Sequence, residues 1–353
     1  MGTKTGSSHE RKRFDAVKDV VITGCAGLLG SHFSRHLLSK GYRVVGIDDL
    51  SGGYSDYLPK AEADKFEFWP IDLADKWASK PLDNIFSDSK RNIVACYHFA
   101  AYAAEGLSPF IRHFNYTNNV LASVNVINQC IKHNTKMIFT SSMAVYGNHF
   151  PPFFEQMSPQ PIDPYGIAKY TIEQDIRVAR EQHGLRYNII RPHNVVGIYQ
   201  NIWDKYRNVA GIFIRRVLAG EPMLIYGDGE QTRAFSDIKY YMKPFEALLY
   251  GHDDELFNIG ADKAYTINEL ADTVQRVAWR NGFEAEKKHV EGRHEARHAF
   301  CDHSKAKNDL QFSDDTNLEE LIDEMFKWAI EQPVREQKVM HYEVEEGIYD
   351  YWK

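Results

Sequence analysis

Residues 20–30 read VVITGCAGLLG. An apolar run suited to a β-strand breaks into three glycines, Gly24, Gly27 and Gly30, and then enters a helix-like stretch from Ser31 to Ser39. A strand that ends in a glycine turn lets the backbone approach a phosphate closely. The first turn of the following helix offers N–H groups with no intrahelical partner. Such a glycine pattern is weak alone, and its setting gives it weight here. A second strand-like run, RVVGID at 43–48, ends in Asp48, near the spacing at which a carboxylate meets the adenosine ribose of a dinucleotide. An acid there favours NAD over NADP.

Outward from this turn the chain keeps alternating. FEFWPIDL (66–73), NIVACYHFAA (92–101), KMIFTSS (136–142) and RYNIIRPH (186–193) read as further strands. A helical stretch runs from about Ser108 to Asn134, and another starts at Pro164, with Asp163 as N-cap, and stops at Gly184. This order predicts an α/β fold: a doubly wound parallel sheet with helices on both faces and ligands at the carboxyl ends of its strands. The second half is less regular. Gly-Asp-Gly at 227–229 is a turn, and 266–281 and Leu318–Ile330 carry amphipathic helical patterns. We expect a dinucleotide domain over 17–193 and, over 194–353, a smaller C-terminal α/β lobe that selects the substrate, with some segments returning to the sheet. Residues 1–16 read as a disordered tail.

Composition narrows the function. The 353 residues are 43% hydrophobic and carry a net charge of -7, so the average surface repels nucleic acid and anionic membranes. An anionic substrate therefore needs its own cluster of arginines or lysines. Cys25, Cys96, Cys130 and Cys301 contain no CxxC pair, and the spacing of His289, His294, His298 and His303 fits no common zinc pattern. No metal is expected. The absence of a membrane-length apolar run or a signal-like N-terminus points to a cytoplasmic protein without membrane partners.

Three residues suggest chemistry. Tyr165 and Lys169 lie four apart and share a helix face, and Ser142 ends a strand that opens on the same cleft. A free phenol is a poor base at neutral pH, but a nearby ammonium or an oxidised nicotinamide favours its phenolate. Tyr165 could then take a proton from a sugar hydroxyl, with Ser142 bonded to the same oxygen and Lys169 also holding the nicotinamide ribose.

At this point the chain resembles the extended short-chain dehydrogenase/reductases, in the branch of NAD-dependent nucleotide-sugar epimerases and dehydratases. It is most similar to UDP-hexose 4-epimerases. The motifs are TGCAGLLG (23–30), DDLSGG (48–53), HFAA (98–101), SSMAVYG (141–147), PYGIAK (164–169), RPHNVVG (191–197), GDGEQTRAF (227–235) and DHSKA (302–306). The resemblance implies a Rossmann-type fold, NAD as cofactor, a UDP-sugar as substrate and a homodimer formed through the helices near 110–132 and 164–183. It implies that Gly24, Gly27, Leu28, Leu29 and Gly30 cradle the pyrophosphate, and that Asp48, Asp49, Asp72 and Leu73 surround the adenosine. Ala100, Ala101, Asn119, Tyr165, Lys169 and Pro192 would serve the nicotinamide side. Ser142, Met143, Asn194, Tyr226, Arg233, Arg293, Arg297 and Ala299 would meet the nucleotide sugar, with one of Arg293 and Arg297 supplying a second fork for the diphosphate. Relatives that dehydrate carry an Asp–Glu pair where this chain has Met143 and Ala144, and decarboxylating ones carry Glu in place of Ala144. The expected reaction is therefore 4-epimerisation through a 4-keto sugar; the alternatives are another NAD-dependent nucleotide-sugar reaction of the same family (reduction, dehydration or epimerisation at another carbon) and a non-catalytic NAD-binding regulator. Ala299 stands where a small side chain admits N-acetyl sugars. Tyr206 and Arg207 fall in an unfamiliar segment and are read as part of a modified sugar site.

Overall fold

Val20, Val21 and Ile22 are neighbours whose side chains must alternate across a strand, so each face of the sheet receives an apolar row. The computed structural model describes residues 17–337 and 339–352; the expected tail at 1–16 lies outside the described residues. In chain order the first half gives β1 (Asp19–Thr23), α1 (Leu28–Ser39), β2 (Arg43–Asp48), β3 (Phe66–Pro70), α2 (Ser79–Phe86), β4 (Ile93–His98), α3 (Arg112–Tyr116), α4 (Ala122–Lys132), β5 (Lys136–Thr140), α5 (Pro164–His183) and β6 (Tyr187–Pro192). The second half gives β7 (Val195–Val196), α6 (Val209–Leu218), β8 (Met223–Tyr226), β9 (Thr232–Ala234), β10 (Ser236–Asp237), α7 (Met242–Ala247), β11 (Glu255–Ile259), β12 (Ala264–Thr266), α8 (Ile267–Arg280), β13 (Lys287–Val290), β14 (His298–Ala299), α9 (Ser304–Leu310) and α10 (Leu318–Ile330).

Seven strands form one parallel sheet in the order β11-β6-β5-β4-β1-β2-β3. The winding reverses between β1 and β4, which opens a crevice at their carboxyl ends, and the fold is Rossmann-type. Alternation fills both faces. Val21, Val45, Phe139 and Ile189 pack under α2, α4 and α5, while Val20, Ile22, Ile138 and Ile190 pack against Phe33 of α1, Phe245 of α7 and Leu310 of α9. Ile172 and Ile176 of α5 belong to the chain's own core and are almost fully buried.

Two features differ from the reading of the sequence. The seventh strand, β11, comes from beyond residue 193 and pairs with β6 over Glu255–Asn188 to Ile259–Pro192. In its sequence, ELFNI, Glu255 and Asn258 leave neither a strict alternation nor a continuous apolar run. The helix expected over 108–134 is broken into a 3-10 turn at Glu105–Phe110, then α3, a wide π turn at Thr117–Leu121, and α4. Pro109 lacks the N–H that a continuous helix needs. In the π turn Asn119 points inward, accepting from Tyr102 N (3.1 Å) and donating to Tyr102 O (3.2 Å) and Asn115 Oδ1 (2.9 Å).

The remaining elements build the smaller body. α6, α8 and α10 pack Phe213, Ile214, Leu270, Val274, Leu321 and Met325 around Met223 and Ile225 of β8. α8 starts at a capping box in which Thr266 and Glu269 satisfy each other's backbone N–H. Among the described residues, no helix is long and apolar enough to cross a membrane.

Candidate active site

A cavity of about 400 Å³ lies at the carboxyl ends of β1, β2, β4, β5 and β6. At one end of it β1 runs into Gly24, whose φ of 70° favours glycine and where a Cβ would lie 2.7 Å from Ala100 N. A Cβ on Gly30 would lie 2.1 Å from Gly24 O, so the helix packs directly on the turn. α1 begins after Gly27 with no side-chain cap, which leaves its first N–H groups for an anion. Asp48 ends β2 and accepts from Ala26 N (2.9 Å) and Leu50 N (2.8 Å). Gly24, Gly27, Leu28, Leu29, Gly30, Asp48, Asp49, Asp72, Leu73, Ala100, Ala101 and Pro192 all line this cavity. A glycine cradle at an uncapped helix start beside a buried carboxylate fits a dinucleotide. Asn119 is absent from the lining and stands one layer back, holding Tyr102. His98, at the end of β4, bonds Thr23 Oγ1 (2.7 Å) and Ser123 Oγ (2.8 Å), and burial drives its pKa down to about 3. It is a neutral pin between β1, β4 and α4.

Ser142, Tyr165 and Lys169 line the same cavity. Asp163 accepts from Gly166 N (2.8 Å) and caps α5, which places Tyr165 in its first turn. Lys169 follows one turn later and donates to Thr140 O at the end of β5 (2.7 Å), with its ammonium 5.8 Å from the Tyr165 ring centre. Ser142 starts a 3-10 turn, its Oγ accepting from Ala144 N (3.1 Å). Burial, and next the Glu105 carboxylate, push the Tyr165 phenol above its ordinary range, while the Ser142 hydroxyl pulls it back. Burial takes Lys169 down to about 7, opposed by Glu173. Burial thus opposes the charged form of both groups, the phenolate of Tyr165 and the ammonium of Lys169.

The other end of the cavity is polar. Arg233 and Arg293 both reach Glu295, at 2.9 and 3.0 Å, and the Arg293 guanidinium lies 4.8 Å from the Tyr226 ring centre. Asn194 lines the cavity with a buried Nδ2 that has no protein partner. Arg297 sits outside the lining, 61% exposed and paired with Asp228 (2.8 Å). Of the two arginines weighed for the second fork, the cavity holds Arg293. Met143 and Ala299 line an adjoining cavity of about 320 Å³ that shares Glu105, Arg233, Arg293 and Glu295 with the first. Tyr206 and Arg207 line the first cavity. Arg207 lies over the Tyr102 ring (4.6 Å), pairs with Asp204 (3.0 Å) and packs against Gly52, where a Cβ would come within 2.7 Å of its Nη2.

Two acids in the cavity escaped sequence reasoning. Glu105 opens onto both cavities; burial, then Asp163, raise its carboxyl to about 7, while Arg233 and Arg293 oppose the rise. Glu295 ties the two arginines together. Neither carries a local signal, because a lone Glu in a polar loop reads as surface. Among the described residues, no group of three or more His, Cys, Asp or Glu is placed to hold a metal ion.

Fold and cleft together define a dinucleotide-dependent α/β enzyme with a polar substrate end. The pattern of the NAD dependent epimerase/dehydratase family matches residues 20–260, and the chain belongs to that family. Its cofactor is NAD. A putative UDP-glucose 4-epimerase of Methanocaldococcus jannaschii is 30% identical over 313 residues, 88% of this chain and 97% of the relative. The crystal structure of the Thermotoga maritima UDP-glucose 4-epimerase with UDP-glucose superposes with a TM-score of 0.80 at 29% identity, covering 88% of this chain and 98% of that one. The UDP-N-acetylglucosamine 4-epimerase of Methanobrevibacter ruminantium, in complex with UDP-N-acetylmuramic acid, gives 0.79 at 30% identity, with 89% and 98% covered.

Proposed function

We propose that the chain is an NAD-dependent 4-epimerase of UDP-sugars that accepts N-acetylated hexoses. One observation carries the reading: Ser142, Tyr165 and Lys169 converge on one cavity, and the two positions after Ser142 are Met143 and Ala144, which can neither give nor take a proton. Gly24, Gly27 and Gly30 would hold the pyrophosphate of NAD, Asp48 its adenosine ribose and Lys169 its nicotinamide ribose. Bound there, NAD supplies a hydride acceptor and donor and a positive ring charge.

Tyr165 takes the proton of the sugar 4-hydroxyl and later returns one, with Ser142 bonded to the same oxygen. The phenol needs acidifying, because its own surroundings raise it. Arg233 and Arg293 present guanidinium forks to the diphosphate, and Glu295 fixes their planes. Asn194 offers the donor that lacks a protein partner. Tyr165→Phe is expected to lower turnover by at least about a thousandfold, near the upper part of the range for acid–base catalysis, while NAD stays bound.

Glu105 favours a second reading. An acid titrating near neutrality beside the sugar could remove a proton from a carbon next to a 4-keto group, as epimerisation elsewhere on the ring would need. Running the reaction in D2O separates the two. Pure 4-epimerisation leaves no solvent deuterium on carbon, and deuterium at C3 or C5 would replace our reading with the second.

A further inference from the structure

The segment after α10 packs on Phe114, Tyr206 and Tyr226, three residues that line the cavity. Glu343 accepts from His113 N (2.6 Å) and Phe114 N (2.8 Å), and its own N–H donates to Phe110 O (2.8 Å). These partners belong to the wall that follows β4. The same segment then reaches the opposite wall. The Tyr342 and Tyr206 hydroxyls share a hydrogen bond (2.7 Å), Lys205 donates to Trp352 O (3.3 Å), and the Tyr349 hydroxyl accepts from His294 N (3.0 Å). The Tyr351 ring stacks on Tyr226 at 4.6 Å and 22°, and Tyr349 stacks on Tyr351 at 5.2 Å and 4°. Tyr226 in turn carries the Arg293 guanidinium on its ring. Glu346, Gly347 and Tyr349 form part of the wall of the adjoining cavity.

A column therefore runs from Tyr349 through Tyr351 and Tyr226 to Arg293. Aromatic pairs and cation–π contacts lose little side-chain freedom when they form, so they hold a guanidinium in one place more firmly than a solvated loop would. The column itself ends on Tyr226 and Arg293, at the polar end of the cavity.

We propose that residues 340–352 are a strap that completes the nucleotide-sugar half of the site, with Tyr351 as a positioning residue that acts through Tyr226 on Arg293. This rests on the reading of that half as a UDP-sugar site. The strap sets the placement of the diphosphate fork and leaves the dinucleotide half alone. A purely structural tail would instead weaken both halves together.

The test uses the intact chain, a chain ending at Val339 and the variant Tyr351→Ala, which keeps the strap docked through Glu343. NAD content is read by mass spectrometry and affinity for UDP by titration calorimetry. We expect NAD content to match the intact chain in both variants. The UDP dissociation constant should rise about tenfold in Tyr351→Ala, the equivalent of one good aromatic pair, and further in the shortened chain. Unchanged UDP affinity in Tyr351→Ala would overturn the strap's role, as would loss of NAD in step with UDP. An intact chain that binds NAD but no UDP would instead refute the UDP-sugar reading, and the strap proposal with it.

Discussion

At the scale of single residues, Ala299 is the most economical probe of substrate choice. It is buried beside Phe153 and Cys301 and shares the wall of the adjoining cavity with Met143. Its methyl leaves that cavity open, and a tyrosine would project a ring into it. Ala299→Tyr is expected to cut kcat/KM for UDP-N-acetylglucosamine by about a hundredfold while sparing UDP-glucose, because the enlarged side chain opposes the acetamido group and not the hydroxyl it replaces. Equal kinetics for both sugars in the variant would remove Ala299 from specificity. The glycine turn, Asp48, Tyr165 and Lys169 were readable as residues because their types and spacings are set by local chemistry. Glu105 and Glu295 were not, since what singles them out is enclosure by residues distant in sequence, Asp163, Arg233 and Arg293 for Glu105 and Arg233 for Glu295.

Among the elements, α5 was legible almost to the residue. Asp163, Pro164 and Gly184 are each strong boundary signals, and the helix runs Pro164–His183 between them. β11 and the π turn in front of α4 were illegible for opposite reasons. The strand is decided by an edge of β6 that sequence does not show. The turn is decided by where the Asn119 side chain finds partners. The faces of these helices also bear on assembly. Ile172 and Ile176 point inward, whereas Leu121, Ile167 and Val178 are 55%, 40% and 45% exposed. Ile167 and Val178 are eleven apart, three helical turns, and so share one outer stripe of α5. We expect this stripe, with Leu121, to carry the proposed homodimer. Ile167→Glu combined with Val178→Glu should give a monomer in sedimentation analysis, and a dimer that survives both charges would place the contact elsewhere.

For the molecule as a whole, His98 makes stability pH-dependent. Burial holds its pKa in the folded chain at about 3, below the ordinary 6.5 of a histidine. Between those values the unfolded chain binds the proton and the folded chain does not, so stability falls as pH drops through that window. His98→Gln keeps a hydrogen-bonding side chain and cannot be protonated. Its unfolding free energy should fall less steeply than that of wild type between about pH 6.5 and about pH 4. Parallel slopes in urea titrations would show that other groups govern acid unfolding.

The pairing of β11 with β6 has a consequence for how the chain folds. Residues 193–254 leave the sheet, give α6 and β8 to the smaller body, lay α7 against the sheet and come back to lie along an edge that has waited for them. Until that return, β6 exposes an unpaired row of backbone groups, the feature by which strands recruit strands from other molecules. The loop to be closed is long, so its pairing is a late and slow event in such a topology. The return of β11 is thus also what covers the row of β6 groups that the nascent sheet would otherwise present in a crowded solution.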